Sequence, residues 1–458
     1  MPNTAKRILL AGLCPLPFEN TSQNYGPGIR TWQFAVGLRA AGCRVRLVAM
    51  TIPGVYGDGE LRSEEVREGV EIHRVDGASY LDGDALPVEI ERFAPDALVG
   101  ATIYGSLAAV RTGTELPLWC DQFGHVMAEA QAKASLESSN WPLPRWWRMV
   151  QPVMSRADRV SVVSERQRYA AIGELGALGR LSAETCGYEF TAVVPCGLSP
   201  RDEPVRPLLR GGEIPHDAFI VLWSGGFNVW SDVDTLFQGL TAAMLRDETI
   251  HFVSTGGAIE GHDSDTYARF LALVEGSSLR RRFHLQGWVK RELVASHLAE
   301  ADLGVLTDLP IYEGLLGSKN RIVEWMAVGL PAVYNRQGDL GELLEEEELG
   351  LVFPVGDAAA LADRVVWAAG HRRELDAMAV RAREKSLRDF SYEATTRELA
   401  TWALAPARSP DADLPRPTAS PLDFERPDPR HGVEEARAAA QRHGARRPWW
   451  RRALARLR

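Results

Sequence analysis

The sequence predicts an α/β protein of two doubly wound, Rossmann-like domains facing each other across a cleft. Three observations carry that expectation. Short apolar runs alternate with longer stretches of helical spacing, the pattern of a parallel sheet wrapped by helices. The alternation pauses after residues 191–200, crosses a segment rich in Pro, Gly and charge, and then starts again. A chain of 458 residues, 45% of them hydrophobic, is also long enough for about two to three domains of roughly 150 residues each.

In the first half, RILLAG (7–12), RVRLVAM (44–50), DALVGA (96–101), LPLWC (116–120) and RVSVVS (159–164) read as strands. Between the first two, residues 28–41 have helical spacing, with Trp32, Phe34 and Leu38 apolar and Gly42 as the stop. The punctuated segment 201–217 marks a boundary near Arg201. A second strand series follows: AFIVLWSGG (218–226), IHFVSTGG (250–257), RFHLQGW (282–288), ADLGVLTD (301–308), LPAVYN (330–335) and LGLVFPV (349–355). The expected layout is a first domain over 1–200, a second over 201–404, and a Pro-rich, basic tail over 405–458. Ligands of such sheets bind beyond the carboxyl ends of the strands, so the loops there are the places to search.

Composition narrows the function classes. A formal net charge of -9 argues against a nucleic-acid footprint, which needs clustered Lys and Arg. The five cysteines are scattered and never form a C-x-x-C pair, which fits a reducing, cytoplasmic setting. The opening apolar run, residues 8–13, is short and soon meets Pro15 and Pro17, so it reads as a core strand and not as a signal peptide. The tail closes on Arg442, Arg446, Arg447, Arg451, Arg452, Arg456 and Arg458 beside Trp449 and Trp450. Two readings fit it: a peripheral contact with an anionic membrane, or a solvated disordered end.

The densest chemistry lies in GLLGSKNRIVEWMAVGLPAV. Ser318 is placed to cap a helix whose apolar positions Ile322, Val323, Met326 and Ala327 face a sheet, and Gly329 is placed to stop it. Such a helix aims free N–H groups and a positive dipole end into the cleft, a site for a diphosphate. Lys319 and Arg321 put cations in the first turn, where they oppose that dipole, and a bound anion would relieve the conflict. Glu324, three residues after Arg321, shares its face and is placed to accept hydrogen bonds from ribose hydroxyls. A plain surface Arg–Glu pair is the competing reading.

That stretch resembles the donor-site helix of GT-B glycosyltransferases, especially the retaining, family-4-like enzymes: a basic residue, two apolar residues, Glu, an apolar run, Gly, x, Pro. The likeness runs over residues 7 to about 400 and includes GPGIRTWQFAVGLRAAGCRVRLV, SRADRVSVVSERQR, VVPCGLSP and FHLQGWVKRELVASHLAEADLGVL, in family order. The resemblance implies that Glu324 holds the donor ribose and that Arg321, with Lys319, holds the diphosphate. It sets Trp288 beside the base, with a buried aromatic as the alternative, and it puts Gly26 and Gly28 near the donor phosphates. It implies a nucleoside diphosphate sugar as donor substrate, no cofactor and no metal. The acceptor class stays open between a glycan, a lipid-linked glycan and a small molecule, with surface-polysaccharide assembly the preferred setting.

The chain also departs from the family. The Arg and Lys that family members carry after the first strand of the second domain are absent; Ser224, Gly225, Gly226, Phe227 and Asn228 stand there. Either the basic pair on the helix acts alone, or N–H donors of this loop substitute, with Gly225, Gly226 and Asn228 as the candidates. Asp232 and Asp234 mimic a metal-binding D-x-D, but a helix start capped by Ser231 explains them. Glu313 lies further from Glu324 than the family's acidic partner. In the first domain, Asp121 ends a strand, His125 follows it and Glu129 lies one turn on; the resemblance makes Asp121, His125 and Glu313 candidates to touch the transferred sugar. For His125 the competing reading is a helix-start hydrogen bonder. The rival functions are a nucleotide-sugar epimerase of the same fold and a non-catalytic nucleotide-sugar-binding or scaffold protein.

Overall fold

The computed structural model describes residues 5–19, 21, 25–56, 62–198, 204–259 and 261–414. Two parallel sheets organise it. The first contains β1 (Arg7–Leu13), β2 (Arg44–Met50), β3 (Glu64–Arg67), β4 (Val70–Val75), β5 (Ala97–Gly100), β6 (Leu118–Asp121), β7 (Arg159–Val162) and β8 (Thr191–Val193), in the order β3-β4-β2-β1-β5-β6-β7-β8. The second contains β9 (Phe219–Trp223), β10 (Ile250–Ser254), β11 (Phe283–Leu285), β12 (Leu303–Leu306), β13 (Ala332–Asn335) and β14 (Leu351–Phe353), in the order β11-β10-β9-β12-β13-β14. Helices cover both faces, so the central strands are buried on both sides and read as continuous Val, Ile and Leu runs.

Every expected strand is present. The unexpected pair is β3 and β4, which join antiparallel at the edge of the first sheet. β4 alternates buried and half-buried residues, and β3 is Glu-Glu-Val-Arg. Neither is an apolar run, because this end of the sheet keeps one face only half covered.

The expected first helix spans Gly26–Ala40, two residues earlier at its start, with Pro27 in its first turn and Gly42 beyond its end at φ 87°. Gly28 serves its packing: a Cβ there would stand 1.8 Å from the Pro15 carbonyl oxygen.

The domain limits differ from the sequence expectation. After the second sheet the chain crosses back, and helices Tyr392–Thr395 and Arg397–Leu404 give Tyr392, Leu399 and Ala403 to the core of the first domain. The segment expected to begin the tail is also docked there through residue 413. Arg180, fully buried, forms a two-pronged bond to Asp411 at 3.0 Å and 3.0 Å, and the Ser409 amide donates to Asp158. Composition pointed to disorder, but one buried charge pair supplies the anchor that a Pro-rich strap lacks in apolar area. The basic end of the tail, including Trp449 and Trp450, lies outside the described residues. No described helix is long and apolar enough to cross a membrane.

Asp411→Ala would leave Arg180 charged and buried with its main partner gone. The expected outcome is a loss of about 3–5 kcal/mol in unfolding free energy by urea titration.

Candidate active site

A cavity of about 1090 Å³ opens between the two sheets, lined from the first domain by Tyr25, Gly26, Phe123 and His125, and from the second by Gly225, Arg321 and Glu324. The carboxyl ends of β1, β6, β9 and β12 lead into it, as the fold requires.

The helix at its floor spans Asn320–Val328. Ile322, Val323, Trp325 and Met326 are buried against the sheet, while Glu324 stays exposed in the cavity. Gly329 closes the helix at φ 75°, with its amide bonded to Met326 and that of Leu330 to Trp325. Ser318 does not cap it. The residue at the cap position is Lys319, no side chain caps the first amides, and Lys319, Asn320 and Arg321 line the cavity.

The two cations of this segment have different fates. The Lys319 ammonium is 7% exposed and committed: it lies 2.9 and 3.2 Å from the Glu313 carboxylate oxygens, 3.2 Å from Asp308 and 5.4 Å from the centre of the Trp230 ring. Burial alone would depress this amine, but Asp308 and Glu313 outweigh it and hold the pKa above the ordinary lysine value. Lys319 lines the cavity, with its charge already shared between two acids.

Arg321 is less completely paired. Its guanidinium packs 4.9 Å from the centre of the Trp223 ring, and Nη2 donates to the Gly226 carbonyl at 2.7 Å, while Nη1 is buried with no hydrogen-bond partner. Burial pulls its pKa down to about 10, against Asp308 and Glu324, so the charge persists at neutral pH but is poorly solvated. Trp325 donates to the Ser224 hydroxyl at 2.9 Å, which fixes the helix to the loop after β9. Gly225, Gly226 and Asn228 of that loop all line the cavity.

Three other assignments change. Asp121 is fully buried and does not reach the cavity: Arg30 grips it at 2.7 and 3.1 Å, and the Thr102 amide and Ser161 hydroxyl fill its remaining positions. It holds strand ends together. Gly28 lies off the cavity wall, whereas Gly26 lies on it. At the D-x-D, the cap is Asp232 and not Ser231; Asp232 accepts from the Thr235 amide and hydroxyl, and Asp234 pairs with Arg269.

His125 is the helix-start hydrogen bonder of the competing reading, and it also lines the cavity. Its Nδ1 accepts from the Ala128 amide at 3.1 Å, capping the helix Val126–Leu136, while its ring lines the cavity with Nε2 3.3 Å from Glu174. Glu313 also lines the cavity, and burial raises its pKa in spite of Lys319. Trp288 is 36% exposed on the wall, held by a bond from its indole N–H to the Ala258 carbonyl, so it is not a buried core aromatic. Sequence reasoning missed His262, whose Nε2 is buried without a partner beside the cavity, and Arg291, which spans to the Glu19 carbonyl. His262 sits in none of the quoted motifs, and Arg291, although inside the family-like stretch 283–306, carries no mark there that sets it apart; only the third dimension brings them here.

The two domains match separate family descriptions: residues 25–180 the "Glycosyl transferase 4-like domain", residues 218–370 "Glycosyl transferases group 1". The chain belongs to the GT-B glycosyltransferases of the family-4-like group. The putative colanic acid biosynthesis glycosyltransferase WcaL of Salmonella typhimurium is 31% identical over 135 residues, 29% of this chain and 33% of that protein. The amylovoran biosynthesis glycosyltransferase AmsK of Erwinia amylovora is 29% identical over 30% of this chain and 34% of its own length. The chain thus spans about a third of the length of these relatives. Among solved structures, sucrose-phosphate synthase from Thermosynechococcus elongatus superposes with a TM-score of 0.64 at 18% identity, covering 86% of this chain and 98% of that one. HepE of Anabaena, in complex with UDP and glucose, gives 0.58 at 15% identity over 87% and 98%. These structural likenesses speak for the fold.

Removing the exposed carboxylate and removing the buried one should act on different quantities. Glu324→Ala is expected to weaken nucleotide-sugar binding by roughly 1.5–3 kcal/mol in calorimetry with an unchanged melt. Asp121→Ala should lower unfolding free energy by about 3–5 kcal/mol, because it strands Arg30.

Proposed function

We propose that the protein transfers a glycosyl unit from a nucleoside diphosphate sugar to an acceptor hydroxyl, with retention of anomeric configuration and without a metal. The observation that carries this reading is the pairing of a half-satisfied Arg321 with an exposed Glu324 at an uncapped helix start on the cavity floor. The diphosphate docks on the helix N–H groups and on Arg321 Nη1, and Glu324 accepts from the ribose hydroxyls. Trp288 flanks the base. His125 lies across the cavity, where the transferred sugar would sit.

As the bond to the anomeric carbon breaks, its electron pair leaves with the diphosphate, whose growing charge Arg321 and the helix amides stabilise. The acceptor oxygen bonds the same carbon on the same face, and its proton passes to the departing phosphate oxygen. Positioning and charge stabilisation replace a dedicated base. Arg321 alone then covers the role for which the family carries an Arg and a Lys, since Lys319 is held by Glu313 and Asp308. The names of the curated relatives favour surface-polysaccharide assembly as the setting. They favour transfer over epimerisation for the same reason.

UDP-sugars head the donor panel, because the similar HepE structure holds UDP. Incubated with a UDP-, GDP-, ADP- or dTDP-sugar and glycan acceptors, the protein should release nucleoside diphosphate and give a product whose anomeric proton coupling in NMR matches that of the donor. An inverted product would refute retention. An epimerised donor formed without any acceptor would refute transfer.

A further inference from the structure

We propose that the helix Pro142–Arg156 is a docking surface for an anionic lipid bilayer, placed at the first-domain mouth of the cavity. The helix has two opposed faces. Met149, Val150, Val153 and Met154 are buried against the first domain. The outer face presents Trp141, Pro144, Arg145, Trp147, Arg148 and Gln151, all exposed. Trp141 is 59% exposed, its indole N–H donating to the exposed Glu137 carboxylate, and Trp147 is 46% exposed; the fold uses neither indole for its core. Trp146 turns inward and meets Tyr104 and Lys133.

The chemistry of this face selects its partner. An ordinary solvated helix mixes Lys and Arg with Glu and Asp, yet no acid occurs from Ser138 through Arg156 in a chain whose net charge is -9. Among the described residues Arg145 and Arg148 form no ion pair. Indoles with one polar edge partition to the boundary between headgroups and acyl chains, and arginines beside them meet lipid phosphates. With its aliphatic side spent on the protein core, the helix meets such a boundary through its outer Trp, Pro and Arg side chains. A second copy of the chain is a poorer occupant, since a two-fold contact through this face would bring Arg145 and Arg148 against their own kind.

The location gives the surface a use. Arg145 and Trp146 line the cavity itself, one helical turn or less from the exposed Trp147 and Arg148. A bilayer seated here faces the cavity mouth, so a membrane-anchored acceptor can present its head group to the site without leaving the lipid. This consequence rests on the transferase reading; the docking itself does not.

The test is vesicle flotation of the full chain with phosphatidylglycerol–phosphatidylethanolamine vesicles, and with phosphatidylcholine alone. Binding is expected to the anionic vesicles only. The variant Trp141→Ser, Trp147→Ser, Arg148→Ser should lose about tenfold in partitioning. Its donor affinity and melt should match the parent. Trp147→Phe with Arg148→Lys should restore most of the binding. Should the triple change disturb the melt, Arg148→Glu alone must still lower partitioning. Parent-like partitioning of these variants would overturn the proposal and hand the contact to another surface, such as the basic tail. Failure of the parent to float with anionic vesicles would overturn it too, and would leave an acidic protein as the partner of this face. Because no sugar donor takes part in flotation, neither result depends on the transfer reaction.

Discussion

A guanidinium desolvated on the floor of a cleft organises this site. Arg321 lies under the cavity with one nitrogen spent on the Gly226 carbonyl and another buried without a partner. A buried charge is tolerated only when something compensates it, and here the ring face of Trp223 and the single carbonyl do so in part. In the proposed function a dianion arriving from the cleft matches the remaining deficit, and the uncapped start of the same helix reinforces the preference. Everything proposed about the donor follows from that imbalance of charge.

The surrounding ion pairs keep the imbalance local. Lys319 is neutralised by Glu313 and Asp308, and Asp308 is itself held by the Tyr334 hydroxyl and the Asn335 side chain. In the first domain Arg30 and Asp121 tie the helix Gly26–Ala40 to the ends of β6 and β7 and to the Val194 carbonyl. These are scaffolds whose charges cancel. The returning helices and the Arg180–Asp411 clasp then bind the end of the described chain to the first domain.

Much of this was legible in the sequence. The buried parallel strands announce themselves as apolar runs, and Gly329 and Glu324 fall where helix periodicity puts them. The Arg321–Glu324 pair was readable because it depends on spacing within one helix. What escaped depends on partners far apart in the chain. Asp121 sits at a strand end, as a catalytic acid would, but Arg30, ninety-one residues away, claims it. Lys319 stands beside Arg321 and differs from it only because Glu313 and Asp308 reach it. His262 has no motif to mark it. The docked strap at 405–413 hid behind a disordered composition, since one buried ion pair leaves no compositional trace.

The helix Pro142–Arg156 and the cavity beside it suggest how chemistry and location are joined: the donor is held from the second domain while the first domain offers its face to a surface. The account nevertheless stands or falls at the floor of the cleft. Its most direct test is a crystal structure of the protein with a bound nucleoside diphosphate. The account predicts phosphate oxygens within hydrogen-bonding reach of Arg321 Nη1 and of the amides that begin the Asn320–Val328 helix, with the ribose hydroxyls on Glu324. A nucleotide seated elsewhere, with Arg321 Nη1 still unpartnered, would contradict it.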